Sequence, residues 1–426
     1  MNKTFLIVLT ALLPLTFANA GEWARFRGPN GTGVGSGDIP VEFSEADFDF
    51  NVKLPGGTGC SSPVVWGDKV FVLSANADDA TRYVCCFHAL TGEKQWQKEY
   101  ESKPHHLHTR SSYASSTPAV DEERVYVAWS TPEAVTFKAF THDGEEAWSL
   151  DLGTWQSQHG FGASPIIYKD MVILHNSQQA NQLDAGEKPG ESFMMAFDRK
   201  TGDEQWRTEL VSKNVCYSAP FIRQSADGKD ELICCSTGNG IFSLDPMTGQ
   251  KNWEVNDKLF KMRTVASPIE VGGLIFGSNG SGGYSSNYVV AVQPGSNGNV
   301  VHKIANSGKF KAPYVPGLIA DGDMVYCLYD RGYASCLNAK TGEILWIERT
   351  GAAFSGSPVR VDDRIYCVDE VGMVWVIAAT PEKYTLLAKN ALGEESKATP
   401  AIANDRLYLR TDSRLISVGG KKAAGS

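Results

Sequence analysis

A dipeptide ending in proline stands just before an apolar, strand-like run eight times along this chain. The prolines are Pro63, Pro118, Pro165, Pro220, Pro268, Pro316, Pro358 and Pro400. Neighbours lie about 40 to 55 residues apart, the period of propeller blades. A second signature runs between them, a Gly followed four residues later by Trp: Gly92/Trp96, Gly144/Trp148, Gly202/Trp206, Gly249/Trp253 and Gly342/Trp346. Each unit reads as four short strands joined by tight turns. In the sixth these are 316–320, 324–329, 333–337 and 343–349, and the turns hold Asp321-Gly322-Asp323 and Asp330-Arg331-Gly332. The expected fold is therefore all-β: an eight-bladed β-propeller of four-stranded antiparallel blades. The last unit stops after a third strand at Leu415–Val418, while Phe48, Phe50 and Val52 alternate with polar residues near the start. An N-terminal strand is expected to complete the last blade and close the ring, leaving no open edge. Two units are irregular: the seventh has Thr380-Pro381 where the Gly…Trp signature belongs, and the fifth has Val301 in place of Trp.

The first twenty residues read as a signal peptide, with Lys3, an apolar stretch from Thr4 to Phe17, and Ala18-Asn19-Ala20 as a small-x-small cleavage site. Residues 21–426 are then expected to form one propeller domain, exported to the periplasm or secreted, with no transmembrane segment after cleavage. The net charge of −9 and the absence of a basic run exclude nucleic acid as a partner. Nine cysteines in an exported chain raise the question of disulfides. Repeat register answers it: Cys234, Cys327 and Cys367 fall at one position of the second strand, Cys86 and Cys336 at one position of the third. They read as small packing residues between blades.

The pattern Ala-x-Asp-x-x-Thr-Gly-x-x-x-Trp is complete in 196–206, and close variants occupy 244–253 and 337–346. It resembles the PQQ-like (quinoprotein) repeat, found in PQQ-dependent alcohol dehydrogenases and in the propeller lipoprotein of the outer-membrane β-barrel assembly machinery. The opening Trp23-Ala24-Arg25-Phe26-Arg27-Gly28-Pro29-Asn30-Gly31 is similar to the start of a group of exported bacterial PQQ-like propellers. Gly21, not Cys, follows the expected cleavage site, so no lipid anchor is expected. The vicinal disulfide, Ca²⁺ site and Asp base that the resemblance to the dehydrogenases implies have no motif here.

Other constellations favour structural uses. Cys85-Cys86 lies inside a strand, where neighbouring side chains face opposite ways; Cys234-Cys235 nears a turn, yet core thiols remain the better reading. No Cys-x-x-Cys-His haem site occurs. The tract His105-His106-Leu107-His108 lacks a second ligand pair and reads as a polar loop, so no metal site is expected. Gly277 to Gly283 reads as a flexible hairpin loop, not a phosphate cradle, because no helix or Lys-Ser/Thr follows it. His88 takes the turn position of Asp198.

Loop lengths are more telling. Turns after the first strands are tight, and those from third to fourth are mostly short. The insertions fall at 74–82, 175–192 and 277–287, between second and third strands, and at 100–114 and 152–162, between blades. In an up-and-down blade both classes emerge on one face, where binding residues concentrate. The loops leading to the first strands place Tyr113, His159, Arg263, Lys311, Tyr314 and Lys397 at the channel mouth, a cationic and aromatic rim suited to an anionic ligand or a peptide. The leading expectation is a non-catalytic, exported binding or scaffold propeller without a cofactor. Its partner would be an envelope protein or peptide, or a small anionic ligand. The competing reading, from the resemblance, is a PQQ-dependent oxidoreductase with Ca²⁺, its quinone carboxylates held by Arg263, Lys311 and Lys397. A third is a glycan- or peptide-binding module of a larger complex.

Overall fold

Turns in which a short polar side chain caps its own backbone fold each unit back on itself. In the sixth blade Asn338 Oδ1 accepts the N–H groups of Lys340 (2.9 Å) and Thr341 (3.1 Å). Asp198 and Asp245 hold their turns in the same way, and His88 Nδ1 accepts from Leu90 N. The strands of this blade are Ile319–Asp321, Met324–Tyr329, Tyr333–Asn338 and Ile344–Arg349. Tyr329 pairs with Tyr333 and Cys327 with Ser335, as the three-residue turn requires. The sulfurs of Cys327 and Cys336 accordingly enter different core layers.

In this computed structural model, which describes residues 21–255, 258–282, 286–295 and 298–419, eight such antiparallel sheets form. The segment read as a signal peptide, 1–20, lies outside the described residues. Phe48–Lys53 pairs antiparallel with Arg414–Val418 and supplies the outer strand of the eighth blade. The ring is closed as the sequence anticipates. Helical structure among the described residues is limited to two single turns, Pro29–Gly31 and Glu45–Asp47. No helix among them is long and apolar enough to cross a membrane.

Blades stack through the Gly…Trp signature. Trp96, Trp148 and Trp206 lie on the turn glycine of the next blade, and these three indoles and Trp346 each donate an N–H to a carbonyl there. The pairs are Trp96 to His142, Trp148 to Arg199, Trp206 to Pro246 and Trp346 to Thr380, at 2.7 to 3.2 Å. A Cβ on Gly144 or Gly202 would come within 2.8 or 3.0 Å of the docked indole, and both glycines have positive φ. Trp253 departs from the pattern and donates to the Glu231 carboxylate of its own blade. In the fifth blade the residue at the tryptophan position is His302, not Val301. The link from third to fourth strand is one residue longer than in the sixth blade, Val292 pairing with Val300 where Leu337 pairs with Ile344, and His302 Nε2 pairs with Lys340 O at 3.0 Å. At the closure Phe50 plays the indole's part against Gly92.

The Ser/Thr-Pro dipeptides form a belt around the channel. Ser62 N donates to Thr117 Oγ1, Thr117 N to Ser164 Oγ, Ala219 N to Ser267 Oγ, Gly317 N to Ser357 Oγ, Ser357 N to Thr399 Oγ1 and Thr399 N to Ser62 Oγ, all at 2.9 to 3.1 Å. Proline next to each hydroxyl removes a donor that the belt could not satisfy. Pro316 does not belong to the series. Ile319 pairs with Tyr326 as Val359 pairs with Tyr366, so Leu318 takes the proline's place and Pro316 stands two residues upstream.

Two sets of loop contacts separate the faces of the ring. Turns after first strands meet turns after third strands, as in Ala89 N to Asp68 O and Ala339 N to Asp323 O. Loops between second and third strands meet the loops between blades, as in Gly280 N to Arg263 O and Asp412 N to Glu395 O. The described parts of all five insertions emerge on the second face. Part of the glycine-rich stretch read as a loop is strand, since Leu274–Asn279 includes Gly277 to Asn279.

Candidate functional site

The channel opens on the loop-bearing face into a cavity of about 560 Å³, walled by residues from the loops that lead into the inner strands. Its far end is closed by the N-terminal segment. Glu22–Trp23 pairs with the first blade's inner strand, and Ala24 O accepts from Val120 N in the second. Arg25 Nη2 donates to Pro220 O (2.6 Å) in the fourth, and Arg27 Nη2 to Leu318 O in the sixth. Val34–Gly35 then adds in parallel to Val359–Val361 of the seventh. The crossing leaves Phe26 facing the cavity. Both guanidiniums are buried, and burial lowers their pKa values to about 9 for Arg25 and about 10 for Arg27.

Four of the six residues placed at the mouth by sequence line the cavity: His159, Arg263, Tyr314 and Lys397. Arg263 is only 6% exposed. Its Nη2 donates to Gln158 Oε1 (3.1 Å) and Gln179 Oε1 (3.3 Å), while its Nε has no partner. No carboxylate pairs with it among the described residues. The Tyr314 hydroxyl is pushed up to about 12, chiefly by burial. The His159 ring packs edge-on to His108 at 4.7 Å between centroids. Tyr113 and Lys311 are not in the lining. The Tyr113 hydroxyl donates to His105 O and accepts its N–H, with Arg82 over the ring, so it anchors the 105–108 tract. Lys311 Nζ lies over the Tyr333 ring.

Sequence reasoning missed several contributors. Arg110 and Arg331 line the cavity, as do Tyr217 and Cys60. Arg110 pairs with Asp330 (3.4 Å) and Glu370 (3.5 Å). Asp330 is buried and also accepts the N–H groups of Tyr314 and Val315; burial holds its carboxyl above the usual range. Only the Asp330-Arg331-Gly332 turn was legible, and nothing in it announced a buried acid. Among the described residues the lining thus contains four cationic side chains and no Asp or Glu. In a chain of net charge −9 that is a local inversion of sign.

Two histidines are expected to make folding pH-dependent. His175, fully buried on Met171–Asn176, has its pKa lowered to about 4 by burial; its Nε2 has no partner. His159 is lowered to about 4 by burial and then by Arg263. Both folded values lie below the unfolded value near 6.5, so the unfolded chain binds protons first as pH falls. Stability from these groups is complete above pH ~6.5 and is lost progressively down to pH ~4, roughly 3 kcal/mol for His175 and less for the partly solvated His159. Asp330, raised by burial, has the opposite sign and offsets part of the loss. Urea midpoints should fall between pH 7 and 5, and His175→Asn should flatten that profile; an unchanged slope would contradict the assignment.

The lining suits the carboxylates of a quinone but not Ca²⁺. Acids beside the lining are committed: Asp330 as above, Glu370 to Ser355 Oγ (2.6 Å) and Arg110, and Asp412 beside Lys397. No three His, Cys, Asp or Glu side chains converge among the described residues, whereas Ca²⁺ takes six to eight oxygens. All nine cysteines are free thiols, and the two adjacent pairs split between different core layers.

Comparison with curated proteins finds no match. Among solved structures, BamB from Moraxella catarrhalis aligns over 88% of this chain and 98% of its own, with a TM-score of 0.59 and 16% identity. The quinohemoprotein alcohol dehydrogenase from Comamonas testosteroni aligns over 97% of this chain and 82% of its own, with a TM-score of 0.65 and 13% identity. Sqt1 from Saccharomyces cerevisiae aligns over 90% and 100%, at 0.60 and 10%. Identities this low show the fold alone. The family model described as outer membrane protein assembly factor BamB matches residues 109–348 and 285–422. Spanning well over half of the sequence, that match shows that the chain belongs to the PQQ-like, BamB-type propeller family.

Proposed function

We propose that this protein is an exported, non-catalytic propeller that binds a partner through its loop-bearing face. One observation carries the reading: a cationic cavity without acids opens among the long loops, while the opposite face is plain and sealed by the N-terminal segment. Rigid sheets hold those loops, so their side chains are presented at little ordering cost. The BamB likeness supports a protein partner in the cell envelope. The likeness to a quinohemoprotein dehydrogenase keeps a second reading, a PQQ-dependent oxidoreductase. The lack of a carboxylate cluster beneath the mouth among the described residues weighs against it.

Capture of envelope polypeptides on the immobilised protein tests the reading. A polypeptide held by wild type and by Lys169→Ala/Lys340→Ala on the plain face, and lost with Arg263→Ala/Lys397→Ala, supports the loop-face site. Equal capture by the two variants would remove it.

A further inference from the structure

The loop between the first and second blades does not stay at the rim. Its neck is closed where the Tyr113 hydroxyl accepts from His105 N (3.0 Å) and donates to His105 O (2.8 Å), so residues 105–113 form a compact Ω-loop. Arg82 fixes the neck by donating to Tyr113 O and Ser102 Oγ, with its guanidinium over the Tyr113 ring. Beyond the neck the loop leans over the channel. Arg110 reaches Asp330 in the sixth blade (3.4 Å) and Glu370 in the seventh (3.5 Å). In a ring of eight the sixth blade stands opposite the second, so this side chain spans the mouth. On the near side His108 rests edge-on against His159. Leu107 lies on Gly160, where a Cβ would come within 2.4 Å of its Cδ2. His108, Arg110 and Ser111 line the cavity, and the loop is its roof.

Side chains hold that roof in place. Among the described residues the main chain of 106–110 makes no hydrogen bond to the main chain of another segment. Within the loop Ser111 N donates to His108 O (2.8 Å) and Arg110 N to His108 Nδ1 (3.2 Å), so the tip is one piece. His106, His108 and Thr109 are exposed, and Leu107 is only partly buried. Few buried apolar contacts on a pinned neck describe a segment that opens without disturbing the sheets. The far contact is of another kind. Asp330 is buried and accepts the N–H groups of Tyr314 and Val315, and among the described residues Arg110 is its one cationic partner. A buried carboxylate gains much from such a pair, so the roof has one strong fastening, on the far wall. The N-terminal segment closes the other end of the channel, and entry is therefore past this roof.

We propose that residues 106–111 are a gate over the channel mouth, latched by Arg110 against Asp330 and Glu370, and that the latch must release before a bulky ligand enters. The gate governs entry whatever the cavity holds, and it stands whether or not the loop face binds an envelope protein.

Cys60 reports on the gate. It lines the cavity, it is the one cysteine of the nine that is not buried, and its Sγ lies 3.9 Å from Arg110 O. Its thiolate takes the alkylthio group from a methanethiosulfonate, with methanesulfinate leaving. Rates are compared for the methyl and the dansylaminoethyl reagents, each normalised to a free thiol, with Cys60→Ser as the control for site. Both reagents are neutral, and a change in thiol acidity acts on both alike, so the ratio of bulky to small rate isolates passage. In the wild type the ratio should lie well below 1. Arg110→Gln should raise it about five-fold, the factor that one partly solvated charge pair supports, and Glu370→Gln should raise it less. Salt at about 1 M should raise the wild-type ratio and leave that of Arg110→Gln unchanged. The salt series and Glu370→Gln keep the test open even if Arg110→Gln fails to fold. A wild-type ratio near 1 would overturn the proposal. So would a ratio that Arg110→Gln leaves unchanged at the wild-type melting temperature, or one that neither salt nor Glu370→Gln moves.

Discussion

Trp148→Ala is expected to lower the unfolding free energy by about 3–5 kcal/mol, the cost of emptying a buried aromatic site. The ring is nearly buried, sits edge-on to Phe137 at 5.2 Å and lies over Gly202 of the next blade. Its loss also leaves the Arg199 carbonyl without its indole donor. Nothing can collapse into the gap cheaply, because blades are joined to their neighbours at this seam and not through a shared sheet. Urea denaturation followed by fluorescence of the remaining tryptophans measures the loss. A change below about 1 kcal/mol would show that the indole seam does not hold the blades together. Trp253→Ala probes a different contact, since its N–H goes to Glu231 within its own blade.

Removal of residues 1–53 is expected to abolish cooperative folding. That segment supplies the outer strand of the eighth blade, the Phe50 contact on Gly92, and the crossing that joins the first, second, fourth, sixth and seventh blades beneath the channel. Without it the strand Arg414–Val418 becomes an exposed edge, a template for aggregation. Gel filtration should show aggregate, and thermal unfolding should broaden or disappear. A synthetic peptide spanning residues 21–58, added during refolding, should restore part of the monomer. A shortened chain that runs as a monomer with an unchanged melting temperature would contradict the role assigned to the segment.

The ring and its closure were legible because strand alternation, turn chemistry and the Gly…Trp spacing all report backbone geometry, and each recurs. Errors arose where one unit departs from its sisters. Pro316 mimics the belt proline from two residues upstream, and one extra residue between Val292 and Val300 moves the docking position from Val301 to His302. The crossing segment occurs once, so no repeat could place it, and Arg25 and Arg27 were seen only as part of a resemblance. At the mouth, loop position located four side chains and misplaced two. Which way a loop residue points depends on its neighbours: Tyr113 turns to the main chain of His105, and Lys311 to the Tyr333 ring. Neither preference shows in spacing.

Titration of the purified protein with PQQ, with and without Ca²⁺, followed by quinone absorbance and by dye reduction with alcohols, separates a binding channel from a catalytic one. The account expects association, where it occurs, to be independent of Ca²⁺, weakened by Arg263→Gln, and without turnover. Ca²⁺-dependent binding accompanied by alcohol-driven dye reduction would contradict it.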